Sequence, residues 1–308
     1  MKQTTLGMVL ILAALAAAQT PTQPTPAQPG TTTGRPPIHA KTQEEYQAYQ
    51  AAVGSPTPEA MEKAASDFAT KFPTSDLRVL LYRALMQTYQ KAGDSQGMLN
   101  AGLKVLAIDK DDPEALIGVA EVQEEHTSVT DLDRDQRMDE AVANAQHALA
   151  TIETDLAVPA GVPAERVDAY KRYLRATAWA IVGTIQYKRE QYADAEATLR
   201  KSIDADPSTP DAVVILRLAL ALDQEKKYPE ALQQAQRAVD LTQEASEVGK
   251  MARTERDRLV VQTGGNNSSG NSTAPAGNSA APAGNSAPPA GNSAPPANAP
   301  QNPAAPPH

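Results

Sequence analysis

Four aspartates, Asp131, Asp133, Asp135 and Asp139, are spaced like the carboxylates that open a calcium loop. Such a loop needs glycine at its sharp turn, and Gln136 stands there; Val142 takes the place of the bidentate glutamate. The spacing therefore predicts another use. Asp133 or Asp135 caps a helix beginning near Gln136, where carboxylates meet the positive helix end. Glu121, Glu124 and Glu125 gather three more carboxylates without a paired acid–base environment, which reads as a solvated or partner-facing surface. The histidines are His39, His126, His147 and His308, none in an HExxH pattern or beside another. No GxSxG, P-loop or GxGxxG pattern occurs, and without cysteine there is neither thiol chemistry nor a disulfide framework. The residues predict no catalytic group, no cofactor and no metal centre. An unusual enzyme site within the inserted segments of 125–163 is the competing reading.

Charge narrows the partners. The formal net charge is −9, and residues 262–307 carry none of it. The acidity belongs to the middle of the chain and opposes nonspecific binding to nucleic acid or anionic lipid. Tyr170, Lys171, Arg172, Tyr173 and Arg175 form the densest basic-aromatic cluster. Its expected role is a solvated helix face with snorkelling side chains.

The elements behind these side chains repeat. Trp179, Val182 and Gly183 share one helical face, Tyr192 opens a second helix after a turn, and Ala195 and Leu199 lie four apart on that helix. Asp206-Pro207 ends it, because proline disfavours helical geometry in the residue before it. Ile215, Ala219, Tyr228, Ala231 and Ala235 repeat the offsets; so do Tyr82, Met86, Met98 and Gly102, with Gly93-Asp94 at the turn. Leu116, Ala120, Ala141 and Ala145 form a copy with nine extra residues between its helices, and Phe68 and Phe72 belong to a degenerate first unit led by 43–53. Residues 176–209 resemble the 34-residue tetratricopeptide repeat, with departures at Val182, where leucine is usual, and Gln186, where tyrosine is usual.

That resemblance implies an all-α fold of antiparallel helix pairs stacked in a right-handed superhelix. Units fall at about 43–75, 79–112, 113–154 with an insertion, 176–209 and 212–242, followed by a capping helix, in a domain of 42–261. A helical extension from Val167 should run into the best unit. Trp179, Gly183, Ala195, Ala219, Ala231 and Ala235 are expected to be buried at helix crossings.

The ends are different material. A basic start at Lys2, an apolar run over 6–18 and small residues at Ala16-Ala17-Ala18 predict a secretory signal peptide, 1–18, with Gln19 as the mature start. An uncleaved anchor is the alternative. Residues 19–41 read as a Pro/Thr/Gln-rich disordered linker, and 262–308 as a Gly/Asn/Ser/Ala/Pro disordered tail. The expected location is periplasmic or cell-envelope associated, with secretion as the alternative, and with no integral membrane span after cleavage.

Function follows from the resemblance as an expectation. Such proteins gather a peptide or a partner's helix on the first helices of their pairs, implying an exported, non-enzymatic protein-interaction scaffold. Carried over by spacing, the groove takes Arg83, Gln87, Gln90 and Lys91 from the second unit, and Glu114, Ile117, Glu121 and Glu124 from the third. Thr177, Thr184, Tyr187 and Lys188 come from the fourth, and Val213, Leu216, Leu220 and Asp223 from the last. A structural spacer acting through its low-complexity arms is the alternative.

Overall fold

A computed structural model describes residues 38–128, 130–158 and 161–264. The segment expected to be a signal peptide, most of the expected linker and nearly all of the expected tail lie outside the described residues. Within them the chain is all-helical, with eleven helices and no strand. These are α1 (Gln43–Val53), α2 (Pro58–Lys71), α3 (Leu77–Ala92), α4 (Ser95–Leu106), α5 (Pro113–His126), α6 (Arg134–Thr151), α7 (Ala164–Lys188), α8 (Tyr192–Ala205), α9 (Ala212–Gln224), α10 (Tyr228–Asp240) and α11 (Glu247–Gln262). No described helix is long and apolar enough to cross a membrane.

Local chemistry sets the helix limits. Thr42 and Glu45 form a capping box at the head of α1. Thr57, Asp94, Asp112, Asp211 and Ser246 each accept a backbone N–H in the first turn of α2, α4, α5, α9 and α11. Three turns between paired helices use one device. Gly93, Glu190 and Lys226 take positive φ of 72°, 61° and 62°. The amides after them, of Asp94, Gln191 and Lys227, donate back to the carbonyls of Tyr89, Gln186 and Leu222. This is the Schellman closure of a helix end, built once with glycine and twice with residues that have a Cβ.

One aspartate assignment changes. The helix after the insertion starts at Arg134, and its N-cap Asp133 makes no side-chain capping bond. Asp133 instead pairs with Arg137 at 2.7 Å, while Asp131 accepts from the Ser128 amide at 2.9 Å. An arginine within reach competes with the helix end for each carboxylate. Asp139 likewise pairs with Arg189 at 2.7 Å. Among the described residues no three His, Asp or Glu side chains come together as metal ligands.

The helices stack as hairpins: α1/α2, α3/α4, α5/α6, α7/α8 and α9/α10, with α11 closing against α9 and α10. The odd-numbered helices also touch each other in succession, α1 to α3 to α5 to α7 to α9 to α11. Even-numbered helices touch only odd ones. The odd row is therefore the shorter arc, and the array bends toward it. That is the stacked-hairpin architecture the resemblance implied.

Small residues let the helices approach. Ala141, Ala145, Ala178, Ala195, Ala219, Ala231 and Ala235 are fully buried. A Cβ on Gly183 would lie 2.8 Å from the Leu199 side chain and 3.2 Å from its backbone nitrogen. The side chain could move; the backbone could not. Trp179 differs from expectation. It is half-buried, its ring lying beneath Lys201 with Nζ 4.8 Å from the centroid. The crossing is filled by Ala178, Val182 and Gly183, so the indole sits on the flank of α7.

The basic-aromatic cluster on α7 is also not a plain solvated face. Lys171 is buried and pairs with Glu153 at 2.8 Å, Arg175 joins the same carboxylate, and Tyr170 donates to Glu114. Because α7 begins twelve residues ahead of the repeat, these residues reach across to α5 and the segment just after α6 rather than into water.

Candidate partner-binding face

The inner layer is stitched side to side by polar contacts between odd helices. Arg83 of α3 donates from Nε to Asp112 at 3.1 Å and lies 3.1 Å from Glu114. Asp112 meanwhile caps α5 through the amides of Glu114 and Ala115, so one buried carboxylate ends a helix and anchors its neighbour. Lys188 of α7 pairs with Glu124 of α5 at 2.7 Å. Arg217 of α9 donates to the Thr184 hydroxyl of α7 at 3.0 Å. Arg258 of α11 joins Asp223 of α9 and its own neighbour Glu255.

These bridges consume much of the groove read from spacing. Arg83, Glu124 and Thr184 are buried within inter-helix contacts, and Ile117 and Leu216 are packed in the core. The physical reason is common to all five. An inner helix is gripped on both sides, so the flanks of its inward face go to its neighbours and only the middle stays open. Glu114, Lys188 and Asp223 are partly exposed but already paired. Tyr187 packs edge-on against Tyr192, with ring centroids 5.6 Å apart, and Leu220 leans on the last core cluster. Thr177 turns its hydroxyl back to the Tyr173 carbonyl at 3.0 Å. Gln87 and Val213 are partly exposed, and Gln90 and Lys91 are exposed at the end of α3.

Glu121 stands apart. It is partly exposed, and neither a hydrogen bond nor an ion pair holds its carboxylate among the described residues. Burial, then the charges of Glu125, Glu124 and Asp211, push its pKa up to about 7. Burial and then Glu124 raise Glu125 as well. Tyr173 is 38% exposed, its ring stacks 6.2 Å from that of Tyr170, and burial followed by the charges of Glu121 and Asp211 raises its hydroxyl pKa. Glu121, Tyr173 and Asp211 belong to α5, α7 and the cap of α9, so three consecutive inner helices contribute to one electrostatic neighbourhood.

Spacing missed Glu125, Tyr173, Asp211 and Arg217 as lining residues. The signal was present for three of them: Tyr173 lies four before Thr177, Arg217 four after Val213, and Glu125 four after Glu121, with which the carboxylate cluster had already grouped it. Asp211 was hidden because a helix cap precedes the pattern. An open, mostly apolar concavity lies elsewhere, between α1 and α2, lined mostly by Ala48, Ala52, Ala64, Phe68 and Phe72. It offers little for polar recognition.

No family model matches the chain, and no curated protein matches it. Solved structures similar in arrangement include the MamA protein, at 15% identity and a TM-score of 0.46, covering 65% of this chain and 92% of that one. PilF of Pseudomonas aeruginosa shows 15% identity and a TM-score of 0.46 over 71% of this chain and 92% of its own. A thermophilic TPR protein of Thermus thermophilus shows 16% identity and a TM-score of 0.41 over 70% and 99%. The fold assignment rests on this chain's own helix pairs and their contacts.

Proposed function

We propose that this chain is a non-enzymatic scaffold that holds a peptide or helix of a protein partner on its inner face, and that it acts in the cell envelope after export. The observation that carries the binding part is the continuous layer of odd-numbered helices, which bends toward its own open side. A surface built from successive helices suits an extended or helical segment, because one segment can touch several repeats at once. Export is supported only by the composition of the first 18 residues.

A photo-crosslinking residue at position 173, on the inner face, should capture partner from an envelope extract. The same residue at position 103, on the outer helix α4, should not. Capture from position 103 alone would move the site to the outer row. For export, protein recovered from the envelope should begin at Gln19. An intact Met1 would favour a retained anchor, and a purely cytoplasmic pool would remove the envelope from the reading.

A further inference from the structure

The charges along the inner layer do not cancel evenly. Near α3, Arg83 serves Asp112 and Glu114 together. Between α5 and α7, Lys188 is spent on Glu124. Between α9 and α11, Arg258 is spent on Asp223 and Glu255. Between these bridges, Glu121, Glu125 and Asp211 have no ion pair among the described residues, and Asp211 uses one oxygen to cap α9. Of the basic groups that act on Glu125, His126, Arg217 and Lys188, Lys188 is paired with Glu124 and the Arg217 guanidinium donates to the Thr184 hydroxyl. Above pH 7, where Glu121 is mostly ionised, three carboxylates outnumber Arg217 and the patch is net negative.

Shape points the same way. Glu121 is half-buried: packing removes enough water for burial to be the first cause of its raised pKa, yet solvent still reaches it. Half-buried but reachable is the geometry of a groove floor. An unpartnered carboxylate in such a place is costly, because burial removes water without supplying a donor. Tyr173, a large aromatic ring left 38% exposed and stacked on Tyr170, is near enough for the Glu121 charge to act on its hydroxyl. A carboxylate without a donor next to an open aromatic face matches a cationic side chain: the charge meets the carboxylate, and the apolar stem or guanidinium plane covers the ring.

We infer that the groove floor formed by Glu121, Tyr173 and Asp211 receives a lysine or arginine side chain of an extended peptide segment in the partner protein. This rests on the scaffold reading above and adds the chemistry of the partner. The incoming cation replaces the donor that α5 lacks at Glu121, and Glu125 extends the negative field toward the next partner residue. Electrostatic complementarity of this kind sets orientation and selects against acidic segments.

The test uses the full chain and a fluorescent peptide of repeating Ala-Leu-Lys, compared with versions carrying glutamate or acetyl-lysine in place of lysine. The lysine peptide should bind about tenfold more tightly than either comparison peptide, and less tightly as salt rises. Glu121→Gln and Tyr173→Ala should each weaken it by about three- to tenfold. Thermal melts of both variants establish that they are folded. Equal binding of all three peptides, with crosslinks still at position 173, would overturn the charge assignment and leave the scaffold reading standing. Crosslinks to position 103 only would overturn both. Spermidine binding as tightly as the peptide would reassign the floor to small amines and overturn the peptide assignment.

Discussion

Two glutamates of α5, seven residues apart, occupy opposite situations on one helix. Glu114 lies at the first turn, with Arg83 3.1 Å away and the Tyr170 hydroxyl donating to it. Glu121, two turns on, has Tyr173 and three other carboxyl groups for neighbours and no donor among the described residues. Residues seven apart share a helix face, so the sequence pattern alone treats them as equivalents. The difference comes from α3 and α7. Arg83 reaches Glu114 from α3, whereas no cation of α7 pairs with Glu121, because Lys188 is engaged further along at Glu124. The first glutamate is part of the framework; the second is left available for something that arrives. Buried charge is tolerated where it is paired, and where it is not, the chain carries a cost that a ligand can relieve.

The largest expected effect comes from removing the framework cation. Arg83→Met leaves Asp112 and Glu114 enclosed without it, and should lower stability by ~3–5 kcal/mol. Urea unfolding at pH 7 measures this, and a loss below ~1 kcal/mol would make the two glutamates energetically alike. Burial pushes Arg83 toward losing its proton, but Glu114 and Asp112 outweigh that and raise its pKa, so no accessible pH removes the cation.

Glu121→Gln tests the other member of the pair and should act in the opposite direction. The folded carboxyl titrates at about 7 against an ordinary value of 4.5. Between those values the folded chain holds a proton that the unfolded chain has released, so Glu121 erodes stability as pH rises through that window. The amide removes this loss. The variant should match the parent at pH 4 and exceed it by ~1–3 kcal/mol at pH 8, the upper figure discounted because solvent reaches the group. Identical pH profiles from thermal melts would show that Glu121 is not strained.

A smaller effect should follow from giving Glu121 what Glu114 has. Tyr173→Arg places a permanent cation on α7 beside it. The gain at pH 8 should be about 0.5–1 kcal/mol, as for a partly exposed pair, and peptide binding at the groove floor should fall with it. An NMR titration of the Glu121 carboxyl should then show a pKa shifted back toward 4.5; an unmoved value would place Tyr173 away from the carboxylate.

The smallest effect is a control on the turns that carries no consequence for either glutamate. Glu190 holds φ 61° in the turn after α7, where Gly93 does the same work after α3. Glu190→Gly should raise stability by about 0.5–1 kcal/mol, leaving the pH profile unchanged. A parallel change in pH dependence would mean that the turn and the inner face are coupled.

Much of the fold was legible from the chain itself. The α1 bounds of 43–53, the unbroken run of α7 through Arg175 into Gly183, and the buried alanines at Ala195, Ala219, Ala231 and Ala235 all follow from caps, turn residues and periodicity. Trp179 shows where that reading stops. Its offset identifies a helix face, but whether a neighbour covers that face at that height depends on where α8 crosses, and Gly183 lets α8 approach one turn away.

The candidate site was less legible for a related reason. Local sequence determined that α3, α5, α7 and α9 exist, and which stripe of each is amphipathic. Only the tertiary stack decided which part of a stripe is gripped and which stays open. The contacts that decide it join residues 29, 64 and 33 positions apart: Arg83 with Asp112, Lys188 with Glu124, and Arg217 with Thr184. Helical periodicity reports neighbours three and four residues away. Pairing across helices depends on their separation and crossing, and these are set by small side chains packed on the opposite side of each helix. Whether a glutamate becomes a strut or an unpartnered charge is therefore a property of the stack rather than of the helix that carries it.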